Sequence, residues 1–425
     1  MPVGFTSLTA PNSMPADSLP LTEKRAPASA EEAVELVAAC AARRTPIYPL
    51  GGETALDYGL PAKQPGLGLS LSAMNRVLDY PARDMTITLE AGVTLAALQQ
   101  TLAAEGQRLP LDAPRAAEAT LGGIVATNTS GPSRCGHGTV RDYVIGISAI
   151  DGRGTPFKAG GRVVKNVAGY DFCKLLTGSL GTLGVITQIT LKVKPLAQRR
   201  VLLACEAADL AQADALLAAL NLSEVTPLAV ELLGGPAWKD LLTNPQGWLV
   251  AVALEGTEPE VAWLEKALRE TFKAAGAANV RELPEEVWSR CVEFPAAGDA
   301  PLVLRASLAP SAVTRFFEAA RKLDPAASLL AHAASGVAIV RFAEFPEQGL
   351  SRALVGNLVP IARAGEGHVV VLSNPGGSEM TRPAVWGGLD TPTAVMTAVK
   401  RQFDPYHLLN PGRFVYDEYP APVAS

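Results

Sequence analysis

Apolar residues recur at helical or strand spacing along most of the chain, and the two kinds of element alternate. Apolar positions from 34 to 41 predict a helix through Arg43, and Ser29 with Glu32 has capping-box spacing at its start. Strict alternation over residues 85–90 predicts a strand with one buried face. Further strands are predicted at 68–71, 77–80, 144–150, 155–158, 185–193, 301–308 and 369–372, and further helices at 94–104, 207–222 and 393–403.

Three evenly spaced glycines, Gly178, Gly181 and Gly184, stand immediately before the predicted strand at 185–193. Glycine has no Cβ, so another group can approach the backbone closely there. The pattern fits a bound ligand or a tight corner between helix and strand. The motifs upstream favour the ligand.

Two upstream segments have the composition of ligand-binding loops. Residues 50–54, Leu-Gly-Gly-Glu-Thr, follow a short extended segment and can present successive N–H groups to an anion, although a plain turn is the alternative. Residues 109–146 are dense in glycine, proline and small polar residues, which fits a backbone that wraps a long polar ligand or an elaborate surface loop. Loops of this length in compact domains are usually functional, which favours the ligand. The chain has neither a G-x-G-x-x-G nor a Walker motif.

Composition narrows the class of protein. The 425 residues are 48% hydrophobic and 19% charged, as in soluble globular proteins, and the net charge of −5 argues against a nucleic-acid binder. No apolar run approaches the roughly 20 residues that span a bilayer, and the start lacks the features of a secretory signal. We therefore expect a cytoplasmic protein. The five cysteines form no C-x-x-C pair and the four histidines are far apart, so no metal or iron–sulfur site is predicted.

Several segments, taken in order, resemble the FAD-binding domain of the vanillyl-alcohol-oxidase family of flavoproteins, also called the PCMH type. They are residues 50–54, 120–128, 138–146, 169–171 and 178–186, with residues 403–405 and 410–413 near the C-terminus. More closely, the chain resembles the FAD-binding E subunits of bacterial glycolate oxidases. The resemblance covers most of residues 30–195 and 395–415.

The resemblance implies an α+β protein, with a two-subdomain PCMH-type FAD-binding fold and an α+β cap domain. We expect a mobile tail at 1–24, because this segment shows no periodicity. The FAD-binding domain is expected at 25–197, with subdomains at about 25–107 and 108–197. The cap is expected at 198–390, and a C-terminal helix and tail at 391–425 return to the FAD-binding domain.

The resemblance also assigns cofactor-binding residues. The expected FAD contacts are Leu50, Gly51, Gly52, Glu53, Thr54, Thr120, Gly122, Gly123, Asn128, Gly138, Gly181, Gly184 and Ile186. Residues 50–54 are expected to hold the pyrophosphate. Some relatives tether the flavin to a histidine where this chain has Glu53, so we expect non-covalent FAD and a packing or hydrogen-bonding role for His137. Leu180 replaces a glutamate that many relatives carry.

Catalytic residues are less well marked. Arg305 lies on the predicted strand 301–308, where it could hold a substrate carboxylate or form a surface ion pair. His368 starts the strand at 369–372 and either faces the flavin or is a satisfied histidine at a strand edge. Related 2-hydroxy-acid dehydrogenases carry metal-binding histidines in the cap, and this chain lacks that pattern.

The function that the resemblance implies is an FAD-binding subunit of a glycolate oxidase, which converts glycolate to glyoxylate. Its partners would be a D-type flavoprotein subunit and an iron–sulfur subunit, with any membrane association made through them. The missing metal-binding histidines raise a further hypothesis, in which glycolate is oxidised mainly on the D-type subunit while this chain relays electrons. The alternatives are a self-sufficient flavin dehydrogenase of another small hydroxy acid or alcohol, and a non-enzymatic assembly subunit.

Overall fold

The computed structural model describes residues 19–161, 169–277, 279–387 and 393–414. Residues 1–18 of the predicted tail, residues 391–392 and 415–425 of the predicted C-terminal segment, and residues 388–390 of the predicted cap lie outside the described ranges. Among the described residues, no helix combines the length and apolar composition that crossing a bilayer requires.

The first part of the chain contains short strands and short helices. Its strands are β1 (Leu21–Arg25), β2 (Ile47–Leu50), β3 (Gly66–Ser70), β4 (Val77–Asp79), β5 (Thr86–Glu90), β6 (Gln107–Arg108), β7 (Val144–Ile150), β8 (Pro156–Gly160), β9 (Val185–Lys192) and β10 (Lys194–Pro195). Its helices are α1 (Ala30–Arg43), α2 (Leu95–Ala103), α3 (Leu121–Thr127), α4 (Arg134–His137), α5 (Val140–Tyr143) and α6 (Phe172–Leu176).

The second part has longer elements. Its strands are β11 (Arg199–Ala207), β12 (Ala229–Gly234), β13 (Trp248–Gly256), β14 (Val280–Glu282), β15 (Leu302–Ser307), β16 (Ser328–His332), β17 (Val337–Phe342) and β18 (His368–Ser373). Its helices are α7 (Leu210–Asn221), α8 (Glu258–Ala274), α9 (Glu285–Glu293), α10 (Val313–Leu323), α11 (Val359–Ala364), α12 (Arg382–Trp386) and α13 (Thr393–Phe403), and a π-helical turn spans Arg352–Leu358.

A parallel sheet in the order β1-β3-β2 opens the first part. Its edge strand β1 includes residues 21–24, so the expectation of an irregular tail up to residue 24 is wrong for these four residues. The side chains of β1 are mostly exposed, so the sequence shows no hydrophobic pattern there. Backbone hydrogen bonds to β3 hold the strand in place.

A second, antiparallel sheet has the order β4-β5-β9-β7-β8. Its strand β5 is buried on both faces, not on one as the alternating pattern predicts. On the polar face, Thr88 Oγ1 lies 3.0 Å from Thr190 Oγ1, and the Glu90 carboxylate accepts hydrogen bonds from Arg76, so burial leaves these groups paired. Because β5 pairs with β9, this sheet also crosses the subdomain boundary expected near residue 107.

The second part is built on one antiparallel sheet of eight strands, in the order β14-β11-β13-β12-β16-β17-β15-β18. The helices α7, α8 and α10 share a buried cluster with one face of this sheet. Arg305 and Ser307 project from the other face, together with Val303, which belongs to a second buried cluster. Arg305 is therefore on the side of the sheet that the larger helices leave uncovered.

A half-buried cluster of charged residues joins the two parts of the chain. The Glu255 carboxylate on β13 accepts hydrogen bonds from Arg108 Nη1 at 2.6 Å and from His137 Nε2 at 3.0 Å. Lys194 Nζ donates to His137 Nδ1 at 3.2 Å, which assigns the proton of a neutral imidazole to Nε2. His137 is thus a hydrogen-bonding residue at the joint.

Replacing Glu255 with glutamine is expected to remove a contribution to the free energy of unfolding that the wild type has at neutral pH and loses at acid pH. Burial alone would raise the pKa of Glu255, but hydrogen bonds from His137 and Arg108 outweigh it and lower the pKa from 4.5 to about 2. Stabilisation from a lowered carboxyl pKa is complete above pH 4.5 and disappears as the pH falls towards 2. Urea unfolding between pH 6 and 3 should show a shallower decline for Glu255→Gln than for the wild type. The exposed helical variant Glu270→Gln is the control, and parallel declines for all three proteins would contradict the role of Glu255.

Candidate functional site

A cleft opens between the loop after β2, the helix α3 and the glycine turn before β9. Of the residues expected to bind cofactor, those that line it are Leu50, Gly51, Gly52, Glu53, Thr54, Thr120, Gly122, Gly123, Gly181, Gly184 and Ile186. Asn128 and Gly138 are not among the lining residues. Lining residues that the sequence analysis did not select include Tyr58, Ala91, Thr127, Thr129, Asn410 and Arg413.

Two loops that are distant in sequence touch each other in the wall of this cleft. A Cβ added to Gly51 would lie 2.1 Å from Thr120 Oγ1, and a Cβ added to Gly52 would lie 1.8 Å from the carbonyl oxygen of Glu118. No side chain fits in either place, which is the physical reason for two adjacent glycines. The loop at 50–54 and the segment at 118–123 therefore share one crevice.

The loop at 50–54 also offers hydrogen-bond donors. The structure gives the backbone N–H groups of Gly51, Gly52, Glu53 and Thr54 no acceptor among the residues it describes. Glu53 has a left-handed backbone with φ of 57°, and its carboxylate pairs with Lys24. Successive N–H groups in such a turn form a concave site for an anion.

The second wall differs from the expected irregular loop, because Gly122 and Gly123 lie inside the helix α3. Thr120 caps this helix, and its Oγ1 accepts from the N–H of Gly123 at 3.3 Å. The N–H of Gly122 donates to the carbonyl of Ala91 at 2.8 Å. Gly122 therefore contributes close packing, not a free donor. The high glycine content predicted a loop here, but the segment is a helix, and its threonine cap is the sequence signal for the start of that helix.

The third wall is the glycine turn, which is both a tight corner and part of the cleft. Gly178, Leu180 and Gly181 have left-handed φ values of 83°, 51° and 66°. The N–H groups of Gly178 and Leu180 donate to carbonyls at the end of α3, at 2.9 and 2.8 Å. The turn is therefore a tight corner, and its Gly181 and Gly184 also line the cleft. A ligand contact at this turn stays a prediction.

The C-terminal segment closes the same cleft. Asn410 Nδ2 donates to the carbonyl of Leu180 at 2.6 Å, and Arg413 Nη2 donates to the carbonyl of Tyr58 at 2.8 Å. In α13, which precedes this segment, the apolar spacing of Val395, Met396, Val399 and Phe403 predicts one buried face, and this prediction is wrong for Val395. Val395 is 61% exposed, whereas the buried residue of the helix is Lys400. The motif in the sequence marked the segment, but no local signal showed which side chains reach the cleft.

Residues 25–160 match the family model described as an FAD binding domain. The chain therefore contains an FAD-binding domain. This FAD-binding domain includes the loop at 50–54 and the helix α3, so the match covers two of the three walls of the cleft. The glycine turn and the C-terminal segment lie outside the matched residues and are joined to the domain by the contacts above.

Curated relatives of the FAD-binding domain include several oxidoreductases. The chain is 39% identical over 153 residues to glycolate oxidase subunit GlcE of Escherichia coli, which covers 36% of this chain and 43% of that protein. It is 34% identical over 207 residues to a mitochondrial D-lactate dehydrogenase (cytochrome) of Arabidopsis thaliana, covering 49% and 36%. These matches span less than half of either relative.

Solved structures extend the likeness to the whole fold. A p-cresol methylhydroxylase with substrate bound superposes with a TM-score of 0.73 over 93% of this chain and 88% of that one, at 16% identity. An alkyldihydroxyacetonephosphate synthase gives 0.67 over 91% and 76%, at 17% identity. The chain thus has the α+β fold of PCMH-type proteins, as expected from the sequence.

The residues of the cleft fit FAD. The cofactor carries a diphosphate, and the unpaired N–H groups at 51–54 can neutralise its charge without a lysine. Two buried oxygens near the end of α3, Asn128 Oδ1 and Ser179 Oγ, also have no hydrogen-bond partner among the described residues. Buried polar atoms are normally paired, but neither Asn128 nor Ser179 lines the cleft, so these two atoms do not identify a ligand contact. A contact between Asn128 and FAD stays a prediction.

Gly138 has a different surrounding. A Cβ there would lie 2.7 Å from Asp142 Oδ2, and the following Thr139 forms a capping box with Asp142. The close approach of Asp142 at the start of α5 therefore explains why residue 138 is a glycine. A contact between Gly138 and FAD stays a prediction.

The candidate catalytic residues lie on the neighbouring strands β15 and β18, and Arg305 contacts a residue of the cleft wall. Arg305 Nη2 donates to the hydroxyl of Tyr58 at 3.0 Å, and its guanidinium lies 5.6 Å from the centre of that ring. Ser307, two residues further along β15, is paired with His368 on β18. Because paired residues face the same side of a sheet, Arg305 and His368 share one face. No group of three or more potential metal ligands occurs in the described ranges.

Proposed function

We propose that this protein is an FAD-dependent oxidoreductase of small 2-hydroxy acids and acts as the FAD-binding subunit of a glycolate oxidase-type complex. The observation that carries the proposal is a cleft with unpaired N–H donors at 51–54, in an FAD-binding domain, that reaches Arg305 of the large sheet through Tyr58. Its relatives, by their names, act on glycolate, D-lactate and D-2-hydroxyglutarate. These are all 2-hydroxy acids.

The charges around Arg305 support an anionic substrate. Burial lowers the pKa of Arg134, and the nearby charge of Arg305 lowers it further. An anion that binds between or beside two arginines reduces the electrostatic repulsion between their positive charges. A guanidinium can hold a carboxylate through two parallel hydrogen bonds, which makes Arg305 the candidate for this contact.

His368 is the candidate for the proton of the substrate hydroxyl. His368 is exposed at the start of β18, and desolvation by the surrounding protein, followed by the charge of Arg305, lowers the pKa of its imidazole. A neutral imidazole at neutral pH can accept a proton. When bound, FAD supplies the two-electron acceptor that oxidation of the alcohol carbon requires. Arg305 would fix the carboxylate, and His368 would take the proton.

The pH dependence of the reaction is expected to report His368. Because its pKa lies below the ordinary value of 6.5, kcat/KM should stay high at pH 6.5 and fall only at lower pH. In His368→Asn, this acid limb should disappear and the rate at neutral pH should drop by about 100-fold, the lower range for loss of a general base. Flavin reduction rates measured from pH 5 to 8 provide the test. An unchanged acid limb in the variant would assign the proton transfer to another group.

The chain would pass its electrons to partners. We propose a D-type flavoprotein subunit and an iron–sulfur subunit, because the five cysteines form no cluster-binding pattern and are all free thiols. Under this proposal the protein is cytoplasmic and meets a membrane only through those partners. In the relay version, the D-type subunit oxidises glycolate and this chain only carries electrons onward.

The test is anaerobic mixing of the purified, FAD-loaded chain with glycolate, D-lactate or D-2-hydroxyglutarate. Rapid bleaching of the flavin by glycolate supports direct oxidation, whereas bleaching only after the D-type subunit is added supports the relay.

Steady turnover of D-lactate with an artificial acceptor would instead select a self-sufficient dehydrogenase, which the likeness to D-lactate dehydrogenases favours as the second candidate. Protein that stays colourless after addition of FAD would refute the oxidoreductase proposal and leave an assembly subunit.

A further inference from the structure

Lys400 is a buried cation that none of the steps above uses. Its side chain is 1% exposed, and its ammonium donates to the carbonyls of Thr182 at 2.7 Å and Leu409 at 3.0 Å and to Asp404 Oδ2 at 2.6 Å. An ammonium has three N–H donors, so these contacts use them all. Lysines are almost never fully buried unless they are paired, and this one is paired on every side.

The acceptors of Lys400 belong to different walls of the FAD cleft. Thr182 lies in the glycine turn, between the lining residues Gly181 and Gly184. Leu409 lies beside Asn410, whose N–H donates to the carbonyl of Ile47 at 2.9 Å, at the start of the strand that leads into the loop at 50–54. One side chain therefore connects the glycine turn with the strand that carries the donor loop.

Asp404 completes this connection. Its side chain is fully buried, and its carboxylate accepts from the N–H groups of Leu408 at 2.9 Å and Leu409 at 2.7 Å as well as from Lys400. The ion pair thus sets the turn between α13 and Asn410, and Asn410 in turn binds the carbonyl of Leu180. Apart from the ion pair itself, the contacts of both side chains end on backbone, so the pair fixes main-chain positions.

We propose that Lys400, held by Asp404, is a positioning residue for the cofactor, because it sets the distance between the glycine turn and the loop at 50–54. The inference rests on the proposed binding of FAD in this cleft. A cofactor held largely by backbone groups needs those groups at fixed separations, and a shift of about 1 Å is enough to weaken such contacts. The ion pair supplies that separation from outside the cleft, without touching the ligand.

The experiment compares Lys400→Met and Asp404→Asn with the wild type. The dissociation constant of FAD is measured by quenching of flavin fluorescence, and urea unfolding of the apoprotein is followed by circular dichroism. The matched control is Lys322→Met, which breaks an ion pair of the same spacing, with Glu318, on the exposed face of α10. Asp404→Asn keeps an oxygen that can accept from Lys400 and is the milder change.

We expect both variants to fold and to bind FAD more weakly than the wild type. The dissociation constant should rise by about 30-fold for Lys400→Met and by about 10-fold for Asp404→Asn. Lys322→Met should bind FAD as the wild type does. If Lys400→Met does not fold, Asp404→Asn decides alone. Folded variants with wild-type affinity would overturn the positioning role. A wild-type apoprotein that takes up no FAD would instead overturn the proposed function.

Discussion

Replacing Gly52 with alanine is expected to weaken FAD binding by about 100-fold or more. The new Cβ would lie 1.8 Å from the carbonyl oxygen of Glu118, which is backbone and cannot rotate away. The loop at 50–54 must then move and withdraw its N–H groups from the diphosphate. Loss of two hydrogen bonds to a charged group costs about 3 kcal/mol, and about 1.4 kcal/mol corresponds to a factor of ten in affinity.

The measurement is a fluorescence titration of apoprotein with FAD, repeated after urea unfolding has shown that the variant is folded. Gly161→Ala is the matched control, because a Cβ at Gly161 meets nothing within 4 Å and its φ is not in the left-handed region. We expect this control to bind FAD normally. Normal affinity in a folded Gly52→Ala protein would mean that the diphosphate is bound elsewhere, and the cleft would lose its assignment.

The parts of the fold that sequence alone could predict are those with a local physical cause. Ser29 caps its helix as expected, and Thr94 caps the helix predicted at 94–104, because the side-chain oxygen of each accepts an N–H three residues later. The loop at 50–54 was predictable for a similar reason, since adjacent glycines after a strand mark a close approach of backbone. Eleven of the thirteen cofactor-binding residues that the family resemblance implies also line one cleft.

The parts that could not be predicted depend on contacts between distant segments. The pairing of β5 with β9 joins residues about a hundred positions apart and leaves no mark on the pattern of either strand beyond burial. Lys400 stands on a helix whose apolar spacing predicts a buried hydrophobic face, and only the acceptors at Thr182 and Leu409 explain why the cation is buried. Arg305 likewise had two equal interpretations until its contact with Tyr58, 247 positions away, placed it beside the cleft.

Replacing Arg305 with alanine is expected to reduce kcat/KM for a 2-hydroxy acid by about 100-fold and to leave the affinity for FAD unchanged. Two charge-assisted hydrogen bonds to a carboxylate contribute about 3 kcal/mol in a partly buried site. Arg305→Lys keeps the charge but loses the planar pair of donors, so an intermediate loss is expected. The effect should fall on binding of the anion, and oxalate should perturb the spectrum of the bound flavin only at higher concentration in both variants.

Arg315→Ala is the control, because this exposed arginine lies on α10 of the same part of the chain, away from the cleft. The oxalate titration applies even to a chain that only relays electrons, since it requires an anion site and no turnover. Equal oxalate affinity in the wild type and Arg305→Ala would return Arg305 to the role of a structural partner of Tyr58. A loss for oxalate with an unchanged response to an uncharged alcohol of the same size would tie the arginine to the carboxylate, because only the charged group can form the paired hydrogen bonds.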